Sequence, residues 1–130
     1  MTIETTKSIL LIEDDEALRE MYTLIITKAG YQIETATDGV QGIAKLRQGG
    51  YSLVLLDLMM PNLDGVGVLK SMQDVSNRPK KPNGPIIVLS NAGYNKVAEE
   101  ALKLGAKIFL MKAELTPKEL VKEIQELVGV

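Results

Sequence analysis

One carboxylate stands out in this sequence because an apolar segment leads directly into it. Asp57 follows four consecutive apolar residues, at positions 53–56. Pro61 follows four residues later and prevents further strand pairing. A short, wholly apolar run that ends in turn residues is typical of a buried strand in a parallel sheet. Ligands bind at the carboxyl ends of the strands in such sheets. Asp57 is therefore predicted to be either a reactive group or a ligand.

Four other side chains capable of chemistry also stand at the ends of apolar segments. Glu13 and Asp14 follow the first such segment, Ser90 ends a later one, and Lys112 ends the last. Crowded carboxylates raise one another's pKa, whereas a hard divalent cation such as Mg²⁺ accepts them as ligands. A free carboxylate, a hydroxyl and an ammonium are groups suited to phosphoryl transfer. Any one of these residues alone merely makes a strand end polar, but together they predict Mg²⁺-dependent phosphoryl transfer to Asp57.

Composition limits the remaining choices. The chain has 130 residues, of which 45% are hydrophobic, a net charge of −2, and neither cysteine nor histidine. Thiol catalysis, disulfides and imidazole chemistry are therefore excluded, and the charge does not favour direct DNA binding. Residues 1–7 lack the apolar core of a signal peptide, and no apolar run reaches membrane-spanning length. We expect a cytoplasmic protein that does not insert into a membrane.

The order of the predicted elements defines the fold class. Strands at residues 8–12, 31–36, 53–57, 85–90 and 107–112 alternate with five helical segments. Strict alternation predicts a parallel sheet with helices on both faces. The first, third and fourth strands are continuously apolar and should be central, which favours the order 2-1-3-4-5. The prediction is a flavodoxin-like, doubly wound (βα)5 three-layer α/β sandwich. One domain is expected over residues 1–130, with a core at 7–128 and no output domain.

Helical spacing also predicts which side chains are buried, and a proline-rich segment predicts a loop. Residues 73–85 contain three prolines and three basic residues and are expected to form a solvated loop. Asp38 and Thr116 are predicted N-caps. The inward-facing residues expected in the first, second and fourth helices are Ala17, Leu18, Met21, Leu24, Ile25, Val40, Ile43, Ala44, Val97, Ala98, Ala101 and Leu102.

Several short motifs together resemble the receiver domain of two-component response regulators over essentially the whole chain. They are Ile9-Leu-Leu-Ile-Glu-Asp14, Leu53-Val-Leu-Leu-Asp-Leu-Met-Met-Pro61 with Asp64-Gly65, Pro85-Ile-Ile-Val-Leu-Ser90, and the segment from Gly105-Ala106 through Lys112. Each motif is weak alone, but their order and spacing are highly specific.

The resemblance implies a role for each site residue. Asp57 would accept the phosphoryl group, and Asp14 would bind Mg²⁺ directly while Glu13 holds it through water. The backbone carbonyl of Met59 would be a further metal ligand. Ser90 and Lys112 would contact phosphoryl oxygens. Phe109 stands at the position of the family's switch aromatic, which turns inward as the residue at position 90 moves.

The resemblance also implies partners. The phosphoryl donor would be a histidine kinase or a histidine phosphotransfer protein. A downstream protein target would be recognised through the surface of the fourth helix, fifth strand and fifth helix, and a dimer that forms on phosphorylation is compatible with the family. The chain would catalyse its own phosphorylation and slow dephosphorylation without being a turnover enzyme.

Three departures from the family pattern carry predictions. Ala113 replaces the usual proline after Lys112, so we expect either a trans bond with a shifted loop or a strained cis bond. Asn91 replaces the usual small residue after the hydroxyl position and would narrow access to Asp57 or add a hydrogen bond to the phosphate. Met59 and Ala92 are apolar and cannot orient water, which predicts slow hydrolysis of the acyl phosphate.

Alternative functions remain at this point. A degenerate receiver would be a pure protein-binding module, but it would lack the acid pair or the lysine. An aspartate-nucleophile phosphatase usually needs a second carboxylate two residues after the nucleophile, where this chain has Met59. A flavin carrier would need a Gly/Ser/Thr-rich phosphate loop after the first strand, and none is present there.

Overall fold

Five parallel strands form the centre of the molecule. The computed structural model describes residues 6–129, so most of the polar N-terminal segment and Val130 lie outside the described residues. The strands are β1 (Ser8–Ile12), β2 (Gln32–Ala36), β3 (Leu53–Asp57), β4 (Ile86–Ser90) and β5 (Ile108–Met111). Their order in the sheet is 2-1-3-4-5. The predicted fold class and strand order are confirmed.

Five helices connect the strands and cover both faces of the sheet. They are α1 (Glu16–Lys28), α2 (Gly39–Gln48), α3 (Gly65–Met72), α4 (Lys96–Lys103) and α5 (Pro117–Val128). Alternate residues of β3 point to opposite faces: Leu53 and Leu55 pack with α1 and α5, whereas Val54 and Leu56 pack with the other three helices. All five residues of β3 are buried. A central strand this dry leaves little solvent around the carboxylate at its end.

Side-chain caps set the starts of the helices. The Asp38 carboxylate accepts a hydrogen bond from the Gln41 N–H at 2.8 Å, and the Thr116 hydroxyl accepts one from the Glu119 N–H at 3.1 Å. Both residues are N-caps, as predicted from their side chains. These contacts fix the positions at which α2 and α5 leave the sheet.

The buried face of α1 differs from the prediction. Met21 is 43% exposed and Leu24 is 57% exposed, whereas Tyr22 and Ile26 are buried against the sheet. Ala17 is also exposed. Leu18 and Ile25 pack against the core as predicted, but the prediction was wrong for Ala17, Met21 and Leu24. The ring of Tyr22 lies in the core instead, although a tyrosine also suits a solvent-exposed face.

The buried face of α2 was predicted only in part: Ile43 packs against the core as predicted, and Leu46, which was not predicted, is buried. Val40 is 68% exposed and Ala44 is exposed, whereas Gly39 and Gly42 are buried. A Cβ atom on Gly42 would lie 2.8 Å from the Cδ1 atom of Ile12. Glycine is therefore required for the close approach of α2 to β1, and a hydrophobic pattern does not detect such a face.

Two smaller features complete the fold. On α4, Val97 is 37% exposed and is therefore not buried as predicted. Ala98 and Ala101 are buried, as predicted. Residues 73–85 are largely exposed, as predicted, but include a 3₁₀ turn at Val75–Asn77. In the part of the chain that the structure covers, every helix is too short or too polar to cross a bilayer.

Candidate functional site

The segment between β1 and α1 places two carboxylates side by side. Glu13 is fully buried and Asp14 is exposed. The Glu13 N–H donates to the Ala36 carbonyl at 3.0 Å, which continues the sheet pairing. The Arg19 Nη1 atom donates to the carbonyls of Glu13 and Asp14 at 3.0 and 3.1 Å. Arg19 was not predicted as a site residue, and it fixes the backbone that carries both acids.

Asp57 ends β3 in a tightly packed turn. Its side chain is 1% exposed, and its Oδ1 atom accepts a hydrogen bond from the Met59 N–H at 3.1 Å. A Cβ atom on Gly65 would lie 2.6 Å from the Asp57 carbonyl oxygen. The glycine at the start of α3 therefore allows that helix to approach the strand end closely. This packing leaves the Asp57 carboxylate little freedom to move.

Lys112 connects the two buried acids. Its Nζ atom lies 2.6 Å from Glu13 Oε1 and 3.0 Å from Asp57 Oδ1, and its side chain is 6% exposed. A 3₁₀ turn, Lys112–Glu114, begins at this residue, and the described residues contain no cis peptide bond. The Lys112–Ala113 bond is therefore trans, and the ammonium reaches the acids without the proline usual in the family.

The three carboxylates form one cluster. One oxygen atom from each of Glu13, Asp14 and Asp57 lies within 4.8 Å of the others. Burial raises the pKa of Glu13 to about 7, and the neighbouring Asp57 adds to this effect. Burial alone would lower the pKa of Lys112, but its hydrogen bonds to Glu13 and Asp57 outweigh that effect and raise it. A hard cation with oxygen ligands suits this donor set.

Ser90 lies at the end of the neighbouring strand. β3 and β4 pair so that Asp57 stands opposite Leu89, which places Ser90 one residue further along the same edge. Its side chain is nearly buried, and its Oγ atom accepts a hydrogen bond from the Ala92 N–H at 3.1 Å. The hydroxyl thus contacts the backbone of its own loop, and it donates no hydrogen bond to another of the described residues.

Two further predicted residues surround this group. Met59 follows Asp57 by two residues, and its side chain is 57% exposed. Phe109 lies on β5 opposite Val88 and is half-buried. Its ring packs edge-on against Tyr94, with ring centroids 5.8 Å apart and planes at 78°. Tyr94 was not predicted, because an exposed tyrosine in a loop carries no periodic signal.

The predicted site residues thus have clear positions. Glu13, Asp14, Asp57 and Lys112 converge at the carboxyl ends of the strands. Ser90 lies at the same edge, and Phe109 lies on the outermost strand beside it. Such a site can hold a cation, present a nucleophilic carboxylate and neutralise a transferred anion.

Comparisons with known proteins agree with this arrangement. The family model for the response regulator receiver domain matches residues 9–125. The chemotaxis protein CheY of Thermotoga maritima is 35% identical over 107 residues, covering 82% of this chain and 85% of that protein. The transcriptional regulatory protein YcbL of Bacillus subtilis is 46% identical over 96 residues, covering 74% of this chain and 39% of that protein.

A solved structure supports the same conclusion. The chemotaxis protein CheY4 of Vibrio cholerae superimposes with a TM-score of 0.81 at 26% identity, covering 95% of this chain and 99% of that one. This chain belongs to the response regulator receiver domain family. It is a CheY-like signalling module of the kind found in two-component systems, and it spans under half the length of the matched regulator YcbL.

Proposed function

We propose that this chain is a phosphoacceptor receiver, a single domain of residues 1–130, in which Asp57 accepts a phosphoryl group from a phosphohistidine. The observation that carries the proposal is the contact of Lys112 with both Glu13 and Asp57, within a cluster of three carboxylates. A buried lysine between two acids, at the strand edge where ligands bind, is a site prepared for an anion and a cation together.

The transfer step is an in-line displacement. An Asp57 carboxylate oxygen attacks the phosphorus atom of the phosphohistidine, a P–O bond forms, and the P–N bond breaks with its electron pair leaving on the imidazole nitrogen. Lys112 pairs with one phosphoryl oxygen and Ser90 donates its hydroxyl proton to another. Because the Ser90 hydroxyl accepts only from its own loop in the described residues, its proton is available for this bond.

The acidic cluster suits Mg²⁺. Receiver domains bind this ion, and the cluster contains the carboxylates of Asp14 and Asp57 that would hold it directly. The Met59 carbonyl and a water held by Glu13 would complete the oxygen ligands. When bound, it would neutralise charge that develops on the phosphoryl oxygens. Asp14 is the exposed member of the cluster, so its carboxylate would be open to an ion from solvent.

Phosphorylation would change the surface of α4, β5 and α5. The new group adds a charge of roughly −1.5 to −2 and three strong acceptors, which only the phosphorylated state offers to Ser90 and Lys112. Movement of Ser90 would free space next to β5 for Phe109. The altered surface would then be recognised by a downstream protein, and the net charge of −2 favours docking to protein over direct DNA binding.

The partner that supplies the phosphoryl group follows from the family. Receiver domains interact with histidine kinases, and we propose such a kinase, or a histidine phosphotransfer protein, as the donor. The degenerate-receiver alternative is disfavoured because the acid pair and Lys112 are present and in contact. The phosphatase alternative is disfavoured because Met59 cannot act as a general acid.

The experiment that tests this function adds Mg²⁺ and beryllofluoride. Beryllofluoride bound to the Asp57 carboxylate mimics the acyl phosphate. Amide resonances of the wild type should shift at residues around Asp57 and on β5, and neither Asp57→Ala nor Asp14→Asn should respond. Shifts of equal size in the Asp57→Ala variant would contradict the proposal.

We also propose that the acyl phosphate is long-lived. The side chains of Met59 and Ala92 are exposed beside the site and cannot orient a water molecule for attack. Loss of phosphate from Asp57, followed by mass spectrometry, should be slow in the wild type and faster in Met59→Asn, which supplies an amide. A wild-type half-life of seconds would contradict this.

A further inference from the structure

The segment of residues 73–85 is attached to the turn between α2 and β3. The Lys80 N–H donates to the Arg47 carbonyl at 2.8 Å, and the Gly84 N–H donates to the Tyr51 carbonyl at 2.7 Å. The Asn83 side chain donates to the Leu46 carbonyl at 3.0 Å. These contacts hold the backbone of the loop in place.

Two glycines make this attachment possible. Gly49 has φ +74°, and a Cβ atom there would lie 1.8 Å from the Lys81 carbonyl oxygen. A Cβ atom on Gly84 would lie 1.8 Å from the Ser52 carbonyl oxygen. The two chain segments therefore approach more closely than any other residue type allows. The close approach brings the end of α2 and the loop into one continuous surface.

This surface carries four basic side chains, which we call the basic edge: Arg47, Arg78, Lys80 and Lys81. All four are exposed, and no carboxylate of the described residues lies within 4.0 Å of their charged atoms. Three of them line a cavity of about 220 Å³. The side chains around this cavity are Ala44, Arg47, Gln48, Arg78 and Lys80. The basic edge therefore offers cations that form no ion pair with residues 6–129.

The basic edge is separate from the phosphoacceptor site. It lies before β3 and β4, at the amino ends of the strands, whereas Asp57 and Ser90 lie at the carboxyl ends. The chain contains 15 basic and 17 acidic side chains. Because four of the 15 belong to the basic edge, the rest of the molecule carries 11 basic against 17 acidic groups. The basic edge thus carries four positive charges, whereas the remaining charged residues sum to −6 (11 basic minus 17 acidic).

We propose that the basic edge binds an extended, Asp/Glu-rich segment of a partner protein. Arginine binds carboxylates through two parallel hydrogen bonds, and Arg47 and Arg78 line the same small cavity. The loop is already held in place by its backbone contacts, so little ordering is needed on binding. A short acidic segment covers the basic edge alone, whereas a long nucleic acid would also meet the acidic remainder of the surface.

The test is fluorescence anisotropy with a labelled Glu/Ser-repeat peptide at about 50 mM salt, where exposed charges are weakly screened. Arg47→Glu/Arg78→Glu should weaken binding by about tenfold or more. The control, Lys118→Glu/Lys122→Glu, makes the same change in net charge on α5 and should leave the affinity within about twofold. Asp57→Ala should bind like the wild type, so the result is independent of the phosphoacceptor role.

Four outcomes would overturn the proposal. The first is that the folded wild type does not bind the peptide, and the second is that the α5 control loses as much affinity as the double arginine variant. The third is that oligothymidylate binds more tightly than the peptide, in a way that depends on Arg47 and Arg78. The fourth is that the wild type self-associates through these arginines and does not bind the peptide. Oligothymidylate binding would point to nucleic acid, and self-association, measured by light scattering, would point to a second copy of the chain. Should the double variant fail to fold, Lys80→Glu/Lys81→Glu applies the same test, since both side chains are exposed.

Discussion

The two ends of the parallel strands, which we call the carboxyl-end edge and the amino-end edge of the sheet, differ in whether their charged side chains are buried or exposed. At the carboxyl ends of the strands, Glu13, Asp57 and Lys112 are almost completely buried and contact one another. At the amino ends, the four cations of the basic edge are exposed, and only the backbone that carries them is held in place. Buried charges depend on their partners, since each loses its hydration. Exposed charges are solvated and remain free for an external ligand. One edge thus carries buried charges that depend on one another, and the other carries solvated cations.

The largest expected difference between the edges comes from removing one cation at each. Lys112→Met leaves two buried carboxylates facing each other, and breaking such a buried ion pair typically costs about 3–5 kcal/mol. Lys80→Met removes an exposed cation and should change the free energy of unfolding by less than about 0.5 kcal/mol. Urea unfolding of both variants measures this. Equal losses of unfolding free energy in the two variants would show that the charges at the two edges do not differ in their dependence on partners.

Backbone packing at the basic edge should be the next most sensitive feature. Gly49→Ala places a Cβ atom in contact with the Lys81 carbonyl at a positive φ, and we expect a loss of about 2–3 kcal/mol. Gly50→Ala is the matched control, because φ is also positive but the nearest atom is a flexible side-chain carbon 3.5 Å away. Its loss should be about 1 kcal/mol. If thermal unfolding gave the same loss of unfolding free energy for both variants, the close approach at Gly49 would not contribute to stability.

The buried acids should make stability depend on pH when no metal is present. Burial holds the pKa of Glu13 at about 7, above its ordinary value of 4.5. Ionisation of Glu13 therefore opposes folding, and the stabilisation present at pH values below 4.5 is lost as the pH rises through about 7. Glu13→Gln should flatten this profile and be more stable than the wild type near pH 8, by on the order of 1–2 kcal/mol.

The measurement is urea unfolding in a chelating buffer, with the exposed Glu20→Gln as control. Saturating Mg²⁺ should reverse the order of stability, because it favours the ionised Glu13. If the Glu13→Gln variant kept the pH profile of the wild type, the pKa of this carboxyl would be the same in the folded and unfolded states.

The smallest effect concerns the aromatic pair beside the site. An edge-on pair contributes about 0.5–1.5 kcal/mol, and Tyr94 forms such a pair with Phe109. Phe109 is the one phenylalanine of the chain, so fluorophenylalanine labelling gives a single ¹⁹F resonance. Tyr94→Ala should move this resonance toward its position in the beryllofluoride-bound protein, and Tyr94→Phe should not. A resonance unaffected by Tyr94→Ala would separate the pair from the switch.

Much of the carboxyl-end edge could be predicted from the sequence, because its residues are placed by strand ends. Asp57 and Glu13 follow apolar runs directly, and a parallel sheet brings such ends together whatever their distance along the chain. Arg19 could not be found this way, because its partners are backbone carbonyls five and six residues earlier. Tyr94 could not be found either, since its contact with Phe109 depends on the path of an irregular loop.

The amino-end edge was much harder to predict. Its organisation depends on Gly49 and Gly84, whose effect is the close approach of two backbone segments and not the burial of apolar side chains. The same limitation explains part of the error in α2, where Gly39 and Gly42 are buried together with Leu46. Hydrophobic periodicity detects large side chains that are buried, whereas a face made of glycine gives no such pattern.

The most direct test of the central claim is the location of the phosphoryl group. The wild type is incubated with acetyl phosphate and Mg²⁺, reduced with borohydride to trap the acyl phosphate, and mapped by peptide mass spectrometry. The account predicts a Mg²⁺-dependent modification at Asp57 alone, and none in Asp57→Ala. Modification at another residue, or an unmodified Asp57 in a folded protein with Mg²⁺ present, would contradict it.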